Sequence, residues 1–154
     1  MAAEDARWMG EALTLARRAE AEGEVPVGAV AVRDGTIVGV GYNLRERAQD
    51  PTAHAELIAI RAAAARLRTW RLSDVTVYVT LEPCPMCAGA LVNARVARVV
   101  YGAVDKKAGA TESLYRIGDD PRLNHRYPTA SGVRAEECGD LLSSFFRRVR
   151  ETRR

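Results

Sequence analysis

Cysteine is scarce and odd in number: three in 154 residues, two of them only three positions apart. That count excludes a disulfide framework and points to a reducing, cytoplasmic setting, with the close pair left for metal or redox work. Lysine is scarcer still, since Lys106 and Lys107 stand against 21 arginines. Long apolar runs are missing, and none approaches the ~20 residues that a membrane-spanning helix needs. The first residues include Glu4 and Asp5 and hold no apolar stretch ahead of a cleavage site, so no signal peptide is expected. Nor does one sign of charge dominate, the formal net charge being +3.

What is present is an ordinary globular composition, 47% apolar and 28% charged. The length suits one domain spanning residues 1–154, large enough to bury about 68–70% of the unfolded chain's surface. Charge is unevenly placed. The first 24 residues carry six acids and three arginines, while the last twelve carry Arg147, Arg148, Arg150, Arg153 and Arg154 against Glu151. Such a tail suits a polyanion such as RNA, and equally the solvated C-terminal end of a helix, whose dipole favours cations.

Helical spacing of Met9, Ala12, Leu13 and Ala16 predicts a helix over 5–22, stopped by Gly23 and Pro26. Val27–Val32 and Ile37–Val40 read as strands joined through Asp34-Gly35, a hairpin turn signal, and both are apolar enough to be covered on two faces. A polar loop, 43–50, precedes a helix expected to be N-capped by Thr52 and to run to about Leu67. Val75–Thr80 alternates as a strand, Met86–Asn93 reads as a helix, and Val96–Tyr101 as another strand. Residues 102–129 give little signal beyond loops and one short helix. Glu136–Arg150 closes as a helix with Leu141, Leu142, Phe145 and Phe146 near one face. The order implies a three-layer α/β/α sandwich around a mixed sheet of about five strands.

Two segments carry the chemistry, His54-Ala55-Glu56 and Pro83-Cys84-Pro85-Met86-Cys87, each opening a helix after a loop. Cys84 and Cys87 lie about 60° apart around a helix, so both sulfurs can face one point, and a helix N-terminus favours thiolates. With His54 they make three ligands of the softness zinc prefers. Three protein ligands leave a fourth position for water, the pattern of a catalytic rather than a structural site. The spare candidates differ in context: Cys138 sits in an apolar-faced helix and reads as core, and His125 lies in a loop. Glu56 is the natural proton shuttle if His54 occupies the first turn, which allows the two side chains to converge. Taken alone it would be a first-turn residue favoured by the helix dipole.

Together these segments match the H-x-E…P-C-x-x-C signature, which resembles that of the cytidine and adenosine deaminase group. The chain is similar, nearly end to end, to bacterial tRNA adenosine deaminases. The likeness is carried by Glu24-Val25-Pro26-Val27-Gly28, Asp50-Pro51-Thr52-Ala53-His54-Ala55-Glu56 and Leu81-Glu82-Pro83-Cys84-Pro85-Met86-Cys87. Leu123-Asn124-His125-Arg126, Glu136-Glu137-Cys138 and Phe145-Phe146-Arg147 extend it beyond the metal motif. The resemblance implies one Zn2+ per subunit, a homodimer, and an anticodon stem-loop of tRNA as partner. It also implies conversion of the wobble adenosine to inosine, with C6 attacked by zinc-activated water. Asn43 is assigned a hydrogen bond to the base, and Asp105 and Asn124 contacts to the extruded nucleotide. Without the resemblance, Asn43 and Asn124 read as turn formers and Asp105 as a surface acid. A deaminase of a free nucleobase or nucleoside using the same metal site is the alternative. One stretch departs from the family: after Gly109-Ala110 it usually has small residues and a glycine, where this chain has Thr111-Glu112-Ser113. A carboxylate at Glu112 is expected to repel a phosphate backbone.

Overall fold

The computed structural model describes residues 2–152, so Arg153 and Arg154 of the basic tail lie outside the described residues. Five strands form one mixed sheet: β1 (Gly28–Arg33), β2 (Thr36–Tyr42), β3 (Thr76–Leu81), β4 (Arg98–Ala103) and β5 (Thr129–Ala130), in the order β2-β1-β3-β4-β5. β1 pairs antiparallel with β2 and β3, whereas β3, β4 and β5 run parallel. Helices α1 (Ala2–Ala21) and α5 (Ala135–Thr152) cover one face; α3 (Ala55–Leu67) and α4 (Pro85–Asn93) cover the other. A four-residue helix, α2 (Arg45–Ala48), sits between β2 and α3. The α/β/α layering and the five-stranded mixed sheet are those expected from the sequence.

Each strand divides its residues between the two layers, because successive side chains point to opposite faces. Val30, Val32, Tyr78 and Val100 meet Met9, Leu13 and Cys138 on one side. Ala31, Val77 and Val99 meet Ile60, Ala63, Leu91 and Val92 on the other. Fully burying each large apolar side chain contributes about 1.5–3 kcal/mol. One polar tie crosses the α1 layer: the Arg98 guanidinium donates two bonds, 2.9 and 2.8 Å, to the Asp5 carboxylate, which also accepts from the Tyr78 hydroxyl at 2.9 Å. The Arg98 hydrogen bonds hold the Asp5 carboxyl below its ordinary range, although burial opposes them.

Several local expectations are corrected. β2 is an edge strand with Val40 exposed, so it is not covered on both faces as β1 is. Thr52 does not cap α3. Its backbone amide and hydroxyl both bond Asp50, at 2.8 and 2.7 Å, and the cap position falls to His54. Of the residues near one face of α5, only Cys138 is buried in that helix; Leu141 and Leu142 are half-buried and Phe146 is exposed. The weak-signal region, by contrast, holds the one short helix expected of it, a 3-10 turn at Ile117–Asp119, ahead of the two-residue strand β5.

The placement of α3 depends on the small side of β2. A methyl group on Gly41 would strike the Ala55 carbonyl oxygen and the Ala59 amide, and one on Gly39 would strike the next turn of the helix. Bare backbone at these two positions lets the start of α3 lie directly on the strand.

Candidate active site

The loops entering α3 and α4 bring the two motif segments together. His54 and Cys84 each occupy an N-cap position with extended backbone, φ −84° and −75°, and neither side chain makes a capping hydrogen bond. Their side chains are therefore left for another partner. Cys87 is the third residue of α4, following Pro85, whose missing amide hydrogen costs nothing in the first turn. Both helices direct their N-terminal dipoles toward the site, an arrangement that favours negative sulfur.

His54 Nδ1 lies 3.6 Å from Cys84 Sγ and 3.5 Å from Cys87 Sγ. Tetrahedral coordination with zinc bond lengths of ~2.0–2.1 Å to nitrogen and ~2.3 Å to sulfur separates N and S by about 3.6 Å. One ring nitrogen equidistant from two sulfurs is poor geometry for a single hydrogen bond and good geometry for two edges of a coordination polyhedron. The donor set fits zinc.

Titration of the cluster follows from the same crowding. Cys84 is drawn down to about 4, first by the hydrogen bond from the Cys87 thiol and also by His54, against its burial. Cys87 moves upward, because it donates that hydrogen bond and is buried. His54 is raised by its bond to Cys84. Cation binding would require both sulfurs as thiolates and so release the Cys87 proton.

Glu56, the second residue of α3, is 4% exposed. Burial pushes its carboxyl up to about 7, with the Cys84 thiolate adding to the rise and its own backbone amide, His54 and Cys87 opposing it. A carboxyl in that range exchanges protons readily near neutral pH.

The other sequence candidates differ in how they are held. Asn43 is buried, its amide nitrogen donating to the Val25 carbonyl at 3.3 Å and its oxygen accepting from the Arg45 amide at 3.0 Å. The neighbouring Leu44 amide bonds the Ala53 carbonyl, tying this turn to the residue before His54. Asp105 Oδ1 accepts from the Lys107 and Ala108 amides at 3.1 and 3.2 Å. Asn124 is exposed, on the turn before His125. His125 Nε2 lies 2.9 Å from the Val96 carbonyl oxygen, and Cys138 is buried in the α1–α5 layer, so neither joins the ligand group.

Two buried glutamates were not singled out from the sequence. Glu24 accepts from the Glu46 and Arg47 amides at 3.0 and 2.7 Å and so holds α2 in place. Glu82, which directly precedes Pro83-Cys84, accepts five hydrogen bonds from residues 105–113. The available signal was a glutamate closing an apolar strand beside a proline. Glu112 accepts the Tyr101 hydroxyl on its carboxylate, and its backbone amide donates to Glu82 at 2.8 Å.

Residues 2–103 match the family model for the cytidine and deoxycytidylate deaminase zinc-binding region. A tRNA-specific adenosine deaminase of Bacillus subtilis is 49% identical over 151 residues, covering 98% of this chain and 94% of that protein. One from Haemophilus influenzae is 50% identical, covering 97% and 87%. A solved structure from work on A-to-I editing by tRNA:A34 deaminases at the wobble position of transfer RNA superposes with a TM-score of 0.85 at 43% identity. That match covers 88% of this chain and 99% of the other.

Proposed function

We infer the reaction from kinship and geometry together: the chain belongs to the tRNA-specific adenosine deaminases, within the cytidine and deoxycytidylate deaminase zinc-binding family. The reaction is hydrolytic conversion of adenosine to inosine in tRNA, with release of ammonia. The observation that carries it is the convergence of His54, Cys84 and Cys87 on one point beside the buried Glu56 carboxyl.

His54 Nδ1 and the two sulfurs would hold one zinc ion per subunit. Bound there, zinc supplies the Lewis acidity that makes water a nucleophile near neutral pH. Glu56 accepts the proton of the attacking water and delivers it to N1 of the adenine. The hydroxyl now on C6 gives its remaining proton to Glu56, which passes it to the departing amino group, so that ammonia leaves as the C6 carbonyl forms. Its burial keeps both protonation states accessible, which a shuttle requires. The ring carbon is unreachable within a stack, so the base enters extruded.

Asn43, Asp105 and Asn124 are the proposed substrate contacts. Asn43 already uses one donor hydrogen and one lone pair internally, leaving one of each for a base edge. Asp105 has Oδ1 engaged by backbone, so a nucleotide hydroxyl would meet Oδ2. The partner is an anticodon stem-loop, and the setting cytoplasmic. The whole chain acts as one domain and pairs with a second copy. An apolar groove lined by Ile60, Ala64, Trp70, Leu72 and Ala90, with Trp70 61% exposed, offers a surface for that pairing.

Turnover of an anticodon stem-loop, set beside free adenosine, guanine and cytosine, tests the substrate. Deamination confined to the RNA supports the assignment; activity on a free base alone would replace it with the small-molecule reading.

A further inference from the structure

Glu82 is 2% exposed and stands at the junction of β3 with the metal loop. Its Oε1 accepts from the Asp105 amide at 2.9 Å and the Ser113 hydroxyl at 2.5 Å. Its Oε2 accepts from the Thr111, Glu112 and Ser113 amides at 3.1, 2.8 and 2.9 Å. The next residue continues the attachment, since the Pro83 carbonyl accepts from the Ala110 amide at 2.8 Å. Gly109 leaves room for the carboxylate, and a Cβ there would overlap it. A segment of nine residues with almost no regular structure is therefore fastened, amide by amide, to the two residues preceding Cys84.

We propose that Glu82 is a positioning residue: by gripping the Asp105 amide from two residues before Cys84, it sets where Asp105 stands, and so governs substrate affinity rather than proton transfer. This rests on the reading of Asp105 as a substrate contact. The two oxygens are not equivalent, and that makes the idea testable. A glutamine at 82 must turn its NH2 toward one cluster of donors. Facing the Oε2 side it meets three amides that cannot accept. On the Oε1 side it meets only one such amide, because the Ser113 hydroxyl can rotate to accept instead. Glu82→Gln therefore releases Asp105 while keeping residues 111–113 attached.

Amide hydrogen exchange and steady-state kinetics on the zinc-loaded protein test this together. In Glu82→Gln the Asp105 amide should exchange at least about tenfold faster, with 111–113 little changed. KM for the stem-loop should rise about tenfold, with kcat within about threefold and zinc content unaltered. Unchanged protection of Asp105 overturns the proposal, as does a fall in kcat beyond that range. If the variant does not fold, exchange on the wild-type protein decides: an Asp105 amide protected as strongly as those of 111–113 supports the grip, and one exchanging as fast as the amide of exposed Lys106 removes it. Should the wild-type protein leave the RNA untouched, the substrate assignment fails, while the exchange data still judge Glu82.

Discussion

Glu56 and Glu82 are the same residue type, both buried, both beside the same metal loop, and they behave in opposite ways. Glu56 is pushed up to about 7 because burial is barely answered by donors. Burial acts on Glu82 too, yet the Glu112, Asp105 and Ser113 amides and the Ser113 hydroxyl outweigh it and hold the carboxyl at about 2. Burial raises both carboxyls, and only Glu82 has the donors to reverse it. A carboxyl with few partners can move a proton; one saturated by amides can only hold a loop.

The largest effect expected from this contrast is on turnover. Glu56→Gln should lower kcat by about 10³-fold with about one zinc per subunit retained and melting little changed, read by product analysis and metal content. Zinc lost along with activity would move Glu56 into a structural role. Glu82→Ala should do the reverse and fall mainly on folding. It strands four backbone amides, that of buried Thr111 among them, at a cost of about 3 kcal/mol, seen as a shift of the denaturation midpoint. A smaller loss, about 2 kcal/mol, is expected from Gly109→Ala, whose methyl group intrudes on the same carboxylate; equal stability to wild type would mean the loop yields freely.

Asp5, far along the sequence from the metal motif and paired with Arg98, provides an outside reference for a carboxylate fixed by its partners. Its pKa is lowered in the folded protein, so its contribution is present above the ordinary value of 3.8 and is lost as pH falls through the folded value. Asp5→Asn should cost about 1–2 kcal/mol at pH 7, and the gap from wild type should narrow on acidification. Denaturation midpoints at pH 7 and pH 3 measure it; a constant gap would show that packing, not charge, makes this contact matter.

The metal cluster was legible because its residues are local pairs: His54 with Glu56, Cys84 with Cys87, each at the start of a helix. The hairpin through Asp34-Gly35 and the alternation of β3 were legible for the same reason. Glu82 was not, since its donors come from residues 105–113, where no period announces how the backbone turns. Thr52 misled because Asp50, two residues away, captures both its donors before the helix begins. The exposure of Val40 follows from strand order, which puts β2 at the edge, and strand order is a tertiary fact. The charge of Glu112 is plain in the sequence, but the Tyr101 hydroxyl that meets it comes from β4, eleven positions away.

The bare stretch of β2 under α3 carries a consequence for how variants of this enzyme are sorted. Gly41 belongs to neither motif segment, yet a single added carbon there would lift the first turn of α3 and carry His54 and Glu56 with it. A survey that scores only the side chains of the motif segments would file that position among the harmless ones. Its hydrogen atom is, in effect, the floor on which the chemistry stands.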